Sequence, residues 1–326
     1  MREKIALAHL PTPLWRSDAL DALVGTQVWV KRDDMTGGAE AGNKLRKLEY
    51  LMAEALAQHA SVVLTCGGLQ SNHARATAIV AARLGLSSCL FLRTATPSMA
   101  PAPSGNLLLD RLVGAEVRLI SPDDYRSRAE VMARAADELR ARGQRPYVIP
   151  EGGSNALGSL GYVDAMREVR QQLDLGLGGG PEPFDSVVFA CGSGGTAAGI
   201  TLGASEWEVA PEAHAMAVCD DATYFERVVG RIAVEAQSLA PELDRRAKLT
   251  VVDRFKGPAY AVASDEQRRF IVEVARRTGL IVDPVYTGKA LFALAKLEPK
   301  PRRVLFVHTG GLPGLIAQAD AFVGEL

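Results

Sequence analysis

Asp185-Ser186-Val187-Val188-Phe189-Ala190-Cys191-Gly192-Ser193-Gly194-Gly195-Thr196-Ala197 runs from a β-branched stretch through a glycine turn into a helix-forming segment. Strand, tight turn and helix in that order form the unit of a sheet wound by helices, because parallel strands need a long crossover between them. The same rhythm extends in both directions. Strands are predicted at Gln27 to Lys31, Ser61 to Cys66, Ser88 to Leu92, Glu116 to Ile120, Pro146 to Ile149, Asp185 to Ala190, Ala213 to Cys219, Leu249 to Val252, Leu280 to Asp283 and Val304 to His308. Helical spacing fills the gaps, as at Asn43 to Gln58, Ser71 to Leu84, Asp123 to Arg142 and Ser264 to Arg277. The glycine-rich run Leu175 to Pro183 cannot hold a helix and reads as a surface connection. The chain is therefore expected to be α/β: two Rossmann-like three-layer domains with twisted, mostly parallel sheets, similar in rhythm before and after residue 155.

Length and composition agree. At 326 residues the chain is about twice a usual domain of roughly 150. Lys plus Arg number 37 against 38 Asp plus Glu, so no basic excess points to nucleic acid. No apolar run approaches the roughly 18 residues of a membrane span, and Met1 to Ile5 lack a signal-peptide core. Cys66, Cys89, Cys191 and Cys219 each adjoin an apolar run and read as reduced, buried thiols, which makes the cytoplasm the expected compartment.

Ligands of such sheets gather at the carboxyl ends of strands, and the loops there are rich in glycine, hydroxyls and amides. The loop Gly192 to Thr196 offers free backbone N–H groups at the start of a helix, which suits a phosphate. A bare strand-to-helix turn explains the same glycines. Gly192 to Ala197 also fits the dinucleotide fingerprint, with Asp220 and Asp221 after the next strand, so a nicotinamide-dependent dehydrogenase competes on this segment. Lys44, one of nine lysines, follows a capping Asn43 and stacks over Leu48, Leu51 and Ala55 on the apolar side of its helix. Lys47 falls with Glu54 on the polar side. A desolvated lysine at a helix start favours its free amine, a nucleophile toward aldehydes and a base; a surface lysine that snorkels is the plainer alternative. Tyr286 and Tyr260 each stand in a turn, placed either to relay protons or to pack. The five histidines never reach metal-ligand spacing, and no G-x-S-x-G elbow occurs.

Taken together, Lys31-Arg32-Asp33-Asp34, Gly42-Asn43-Lys44-Leu45-Arg46-Lys47-Leu48-Glu49, Gln70-Ser71-Asn72-His73, Asp283-Pro284-Val285-Tyr286-Thr287-Gly288-Lys289 and His308-Thr309-Gly310-Gly311 resemble the D-cysteine desulfhydrase and 1-aminocyclopropane-1-carboxylate deaminase family. The resemblance runs through nearly the whole chain in order. It implies fold type II, similar to the tryptophan synthase β subunit. Residues 1–45 and 156–326 would form a large cofactor-binding domain and 46–155 a small inserted one, with pyridoxal 5'-phosphate in the cleft, usually in a homodimer. By matching motif, Lys44 looks like the lysine that carries the cofactor and Asn72 like the partner of its phenolic oxygen. Gln70, Ser71 and Asn72 look like substrate ligands, Ser71 also sharing proton transfer, and Gly192, Ser193, Gly194, Gly195 and Thr196 like the phosphate site. Tyr286 and Tyr260 would face the substrate side chain. Thr287 would hydrogen-bond the pyridine nitrogen, with Thr309 next in line.

The cyclopropane deaminases carry an acid where this chain has Thr287 and a glutamate where it has Ala259, and both departures favour a desulfhydrase. The loop from Arg93 to Ser104 is short and proline-rich, and Glu151 replaces a usually neutral residue. The expected reaction is α,β-elimination from D-cysteine to pyruvate, hydrogen sulfide and ammonia. The alternatives are deamination of the cyclopropane amino acid or release of sulfite from L-cysteate, the last requiring a cation that the sequence does not place.

Overall fold

The computed structural model describes residues 2–326. Its first half runs β1 (Leu14–Arg16), α1 (Asp18–Val24), β2 (Gln27–Lys31), α2 (Lys44–Ala57), β3 (Val62–Gly68), α3 (Asn72–Arg83), β4 (Ser87–Arg93), α4 (Gly105–Leu112), β5 (Glu116–Ile120), α5 (Pro122–Arg126), α6 (Arg128–Ala141) and β6 (Pro146–Val148). The second runs α7 (Ala156–Asp174), β7 (Ser186–Cys191), α8 (Gly195–Glu206), β8 (Glu212–Ala217), α9 (Ala222–Leu239), β9 (Lys248–Val252), α10 (Asp265–Thr278), α11 (Thr287–Lys296), β10 (Arg303–Val307) and α12 (Leu312–Ile316). Two sheets result. One has the order β1-β2-β10-β7-β8-β9 and the other β5-β4-β3-β6. All pairings are parallel except that of β1 with β2.

The four-stranded sheet draws only on residues 62–148, whereas the six-stranded one takes strands from both sides of that segment. The expected boundaries at 45 and 155 fall in the first turn of α2 and just before α7.

The continuous apolar runs have a simple cause: both faces of the large sheet are covered, so alternate residues enter different cores. Trp29, Val187, Phe189, Leu305 and Val307 face the layer containing α7, α8 and α9. Val28, Val30, Val188, Val304 and Phe306 face α10 and α11.

Three expectations change. Leu280 to Asp283 is apolar but joins no sheet: Leu280 and Val282 are buried against α10 and α11, while the Asp283 carboxylate accepts the N–H groups of Val285, Tyr286 and Thr287. Turn chemistry takes the backbone that a ladder would have used. The helix expected from Asp123 to Arg142 is two, α5 and α6, parted at Ser127, with a capping box between Ser121 and Asp124 starting the first. Strand β1, too short for a periodic signal, pairs antiparallel at the sheet edge.

Candidate functional site

Four helix starts converge on one cavity: those of α2, α3, α8 and α11. Its walls include Lys44, Ser71, Asn72, Glu151, Tyr260, Tyr286 and Thr309, together with Gly192, Ser193, Gly194 and Thr196. Helix starts present unpaired N–H groups and a positive dipole end, so the enclosure favours an anion.

The loop before α8 is shaped for close approach. Gly194 has φ of 85°, where an added Cβ would lie 2.8 Å from Val228. At Gly195 a Cβ would meet the Ser154 Cα at 2.7 Å and Lys47 Nζ at 2.8 Å, so only glycine brings this backbone against those groups. Gly195 itself lies behind the cavity wall and donates its N–H to Ser154 Oγ at 3.2 Å; Ser154 and Ser193 share a 2.8 Å hydrogen bond. Asn43 makes no helix-capping bond, and its amide donates instead to Thr196 Oγ1 at 3.2 Å.

Lys47 corrects the helical-wheel reading. It is fully buried, its ammonium donating to the Gly152 carbonyl at 3.1 Å and to Ser154 Oγ at 3.3 Å, beside Gly195. Burial, reinforced by the charge of Lys44, holds its pKa well below the ordinary lysine value. The signal was present: residues three apart on a helix are surface neighbours, so a lysine three positions after Lys44 shares its side.

Lys44 Nζ lies 3.4 Å from the Gly152 carbonyl, and burial lowers its pKa to about 8 against the opposing pull of Glu151. Ser71 caps α3 by accepting the Ala74 N–H at 3.1 Å, so its proton stays available. Asn72 Oδ1 accepts from Asn106 Nδ2 at 3.1 Å, leaving its own amide N–H groups without a protein partner. His73, also on the wall, bonds Thr65 at 2.9 Å through Nε2, and its Nδ1 has no partner. Tyr260 and Tyr286 meet hydroxyl to hydroxyl at 2.6 Å. Burial pushes the Tyr260 phenol up to about 12 and Tyr286 well above its ordinary value, so both are donors at neutral pH.

Besides Gly195, two residues expected at the site lie off it. Gln70 is bound to the start of α4, accepting the Asn106 N–H at 2.9 Å and donating to the Ser104 carbonyl at 3.1 Å. Thr287 is fully buried beneath the wall, donating to Asp283 Oδ1 at 2.6 Å and accepting the Asp283 N–H at 2.9 Å. Thr309 lines the cavity. Among the described residues no helix is long and apolar enough to cross a membrane, and no cluster of metal-ligand type occurs.

Residues 5–310 match the family model described as pyridoxal-phosphate dependent enzyme. The chain is 46% identical to the mitochondrial bifunctional D-cysteine desulfhydrase/1-aminocyclopropane-1-carboxylate deaminase of Arabidopsis thaliana, over 97% of this chain and 80% of that one. It is 38% identical to a D-cysteine desulfhydrase of Klebsiella pneumoniae over 96% of this chain and 95% of the other. A solved homologue of 1-aminocyclopropane-1-carboxylate deaminase superposes with a TM-score of 0.87 at 34% identity, covering 100% of this chain and 97% of that one. The helix-start cavity with its buried lysine thus belongs to a known architecture, and the chain is a member of the pyridoxal-phosphate-dependent enzyme family.

Proposed function

We propose that the chain is a carbon–sulfur lyase that converts D-cysteine to pyruvate, sulfide and ammonia. One observation carries this reading: the Lys44 amine shares its cavity with a hydrogen-bonded pair of protonated phenols, Tyr260 and Tyr286. The residues present fit pyridoxal phosphate. Lys44 would hold its aldehyde carbon, the N–H groups of Gly192, Ser193, Gly194 and Thr196 with Lys47 its phosphate, and the unpartnered Asn72 amide its phenolic oxygen. Thr309 lines the cavity where Thr287 does not, and would offer its hydroxyl to the ring nitrogen. When bound, the cofactor supplies the electron sink.

The protein's own work is proton management. Ser71 Oγ–H is free to bind the substrate carboxylate. The neutral amine of Lys44 takes the Cα proton, and the Tyr260–Tyr286 pair gives a proton to the departing sulfur. The bifunctional name of the 46% identical relative supports a second reading, deamination of the cyclopropane amino acid. The segment 46–155 forms the smaller body in this proposal. The assembly is a cytoplasmic homodimer, in keeping with four unpaired cysteines among the described residues.

The purified protein should show the visible absorption of a bound cofactor, and Lys44→Ala should lose it along with roughly 10²- to 10⁴-fold of activity. A colourless wild type after reconstitution rejects the proposal. An assay of D-cysteine, L-cysteine, cysteate and the cyclopropane amino acid reads the substrate, and ammonia from the cyclopropane compound alone decides for the second reading.

A further inference from the structure

Gln70 stands in the sequence motif beside Ser71 and Asn72, yet the chemistry proposed above makes no use of it. Its partners are at the start of α4. Gln70 Nε2 donates to the Ser104 carbonyl at 3.1 Å, and its Oε1 accepts the Asn106 N–H at 2.9 Å. Gly105, between the two, has φ of 50°, and an added Cβ there would lie 2.6 Å from Gln70 Oε1 and run into the Pro313 carbonyl of α12. Only glycine lets α4 begin this close to both.

The close approach delivers Asn106, which is fully buried behind the cavity wall. Its Nδ2 donates to the Gln70 carbonyl at 2.9 Å and to Asn72 Oδ1 at 3.1 Å, so one amide holds the two residues that flank Ser71. An amide turned end for end keeps its shape but exchanges donors for acceptors, and its partners decide which end points where. A backbone carbonyl can only accept. The Gln70 carbonyl therefore fixes Asn106 with its nitrogen toward residues 70 and 72, even though Asn106 Oδ1 is left buried without a partner. That nitrogen in turn requires an oxygen opposite it, which turns Asn72 Oδ1 toward α4 and leaves Asn72 Nδ2 for the cavity that Asn72 lines.

We propose that Asn106 is a positioning residue for the cofactor: by fixing the orientation of the Asn72 amide it makes this part of the cavity wall a hydrogen-bond donor to the phenolic oxygen of pyridoxal phosphate. The inference rests on the reading of Asn72, given above, as the partner of that oxygen. A donated hydrogen bond favours the ionised oxygen, whereas Asn72 turned the other way would set a carbonyl lone pair against it. Asn106 itself touches neither cofactor nor substrate and acts only through Asn72.

The test measures equilibrium binding of two compounds to the cofactor-free full-length chain at pH 8: pyridoxal phosphate and 3-deoxypyridoxal 5'-phosphate, which lacks the phenolic oxygen. The wild type should prefer pyridoxal phosphate by roughly 10- to 100-fold. Asn106→Asp presents only acceptors to Asn72, whose Nδ2 then turns away from the cavity, and the preference should fall to about twofold or less. Asn106→Ala carries no charge and leaves Asn72 free to take either orientation. It should lower the preference by roughly 3- to 10-fold, and it decides the matter if the buried carboxylate of Asn106→Asp prevents folding. The deoxy compound should bind all three proteins within about twofold of one another. With pyridoxal phosphate bound, part of the visible absorption of the variants should move to the near ultraviolet as the phenolic oxygen takes up a proton. Equal weakening of both compounds in Asn106→Ala would reduce Asn106 to a structural role and overturn the inference. A wild-type preference that survives unchanged in Asn106→Ala would also overturn it and leave Asn72 as the partner of the oxygen. A wild type that binds the two compounds equally would overturn the reading of Asn72 and the inference together.

Discussion

Lys44 shows how a single side chain is tuned by its surroundings. Burial disfavours its cation and Glu151 partly restores it, with the balance near 8. In cofactor-free protein the acylation rate of Lys44 by a small anhydride, followed by mass spectrometry, should reach its midpoint near pH 8, about a tenth of the amine being free at pH 7. Glu151→Gln removes the charge that favours the ammonium and should move the midpoint lower. A midpoint at the ordinary lysine value, or a shift upward in the variant, would contradict this electrostatic account. The lysine was legible because its motif and helix start are local in sequence. Lys47 was legible only as a neighbour of Lys44 three positions on; its burial was not, because the groups that enclose it come from Gly152 and Ser154, 105 and 107 positions away.

Between α3 and α4 lies an element-scale cost. Asp110 is fully buried on α4, both its carboxylate oxygens lack partners, and Arg75 on α3 is too far away for an ion pair. Burial raises its pKa from 3.8 to about 7. The folded chain thus keeps a proton that the unfolded chain gives up, so the stabilisation is complete below 3.8 and is lost as pH rises toward 7. Asp110→Asn keeps the shape without the charge. Between pH 5 and 8 the wild type should lose about 3 kcal/mol relative to that variant, read from paired melting curves. Parallel pH dependence in the two proteins would show that Asp110 stays ionised in the fold. Elements with strong periodicity, such as α2 and β2, were legible nearly to the residue. The segment at 280–283 was not, because its apolar residues are buried without a strand neighbour and its backbone is held by the Asp283 carboxylate.

Across the whole molecule, a buried polar network ties together parts distant in sequence. Arg46 donates to both carboxylate oxygens of Asp33 at 2.8 Å and to Glu168 at 3.0 Å; Lys31 also pairs with Glu168, and Tyr162 donates to Asp33 at 2.7 Å. These residues link β2, α2 and α7 one half-turn from Lys44. Arg46→Met leaves two buried carboxylates short of their countercharge and should cost about 3–5 kcal/mol, measured as a lower urea midpoint. A midpoint within experimental scatter of the wild type would show that water or Lys31 takes over the role. The α/β class and the parallel strands were readable from the rhythm of the chain, but the strand order was not, since Gln27 pairs with Arg303 and nothing local in sequence encodes that partnership. The position of β10, between β2 and β7, bears on how the protein is made. A ribosome releases the chain from its amino end, and the strand at 303–307 emerges after every other strand of its sheet. Until it emerges, β2 and β7 each wait with an open edge, whereas the sheet within 62–148 already has all its strands, so the smaller sheet can be complete before the larger one closes.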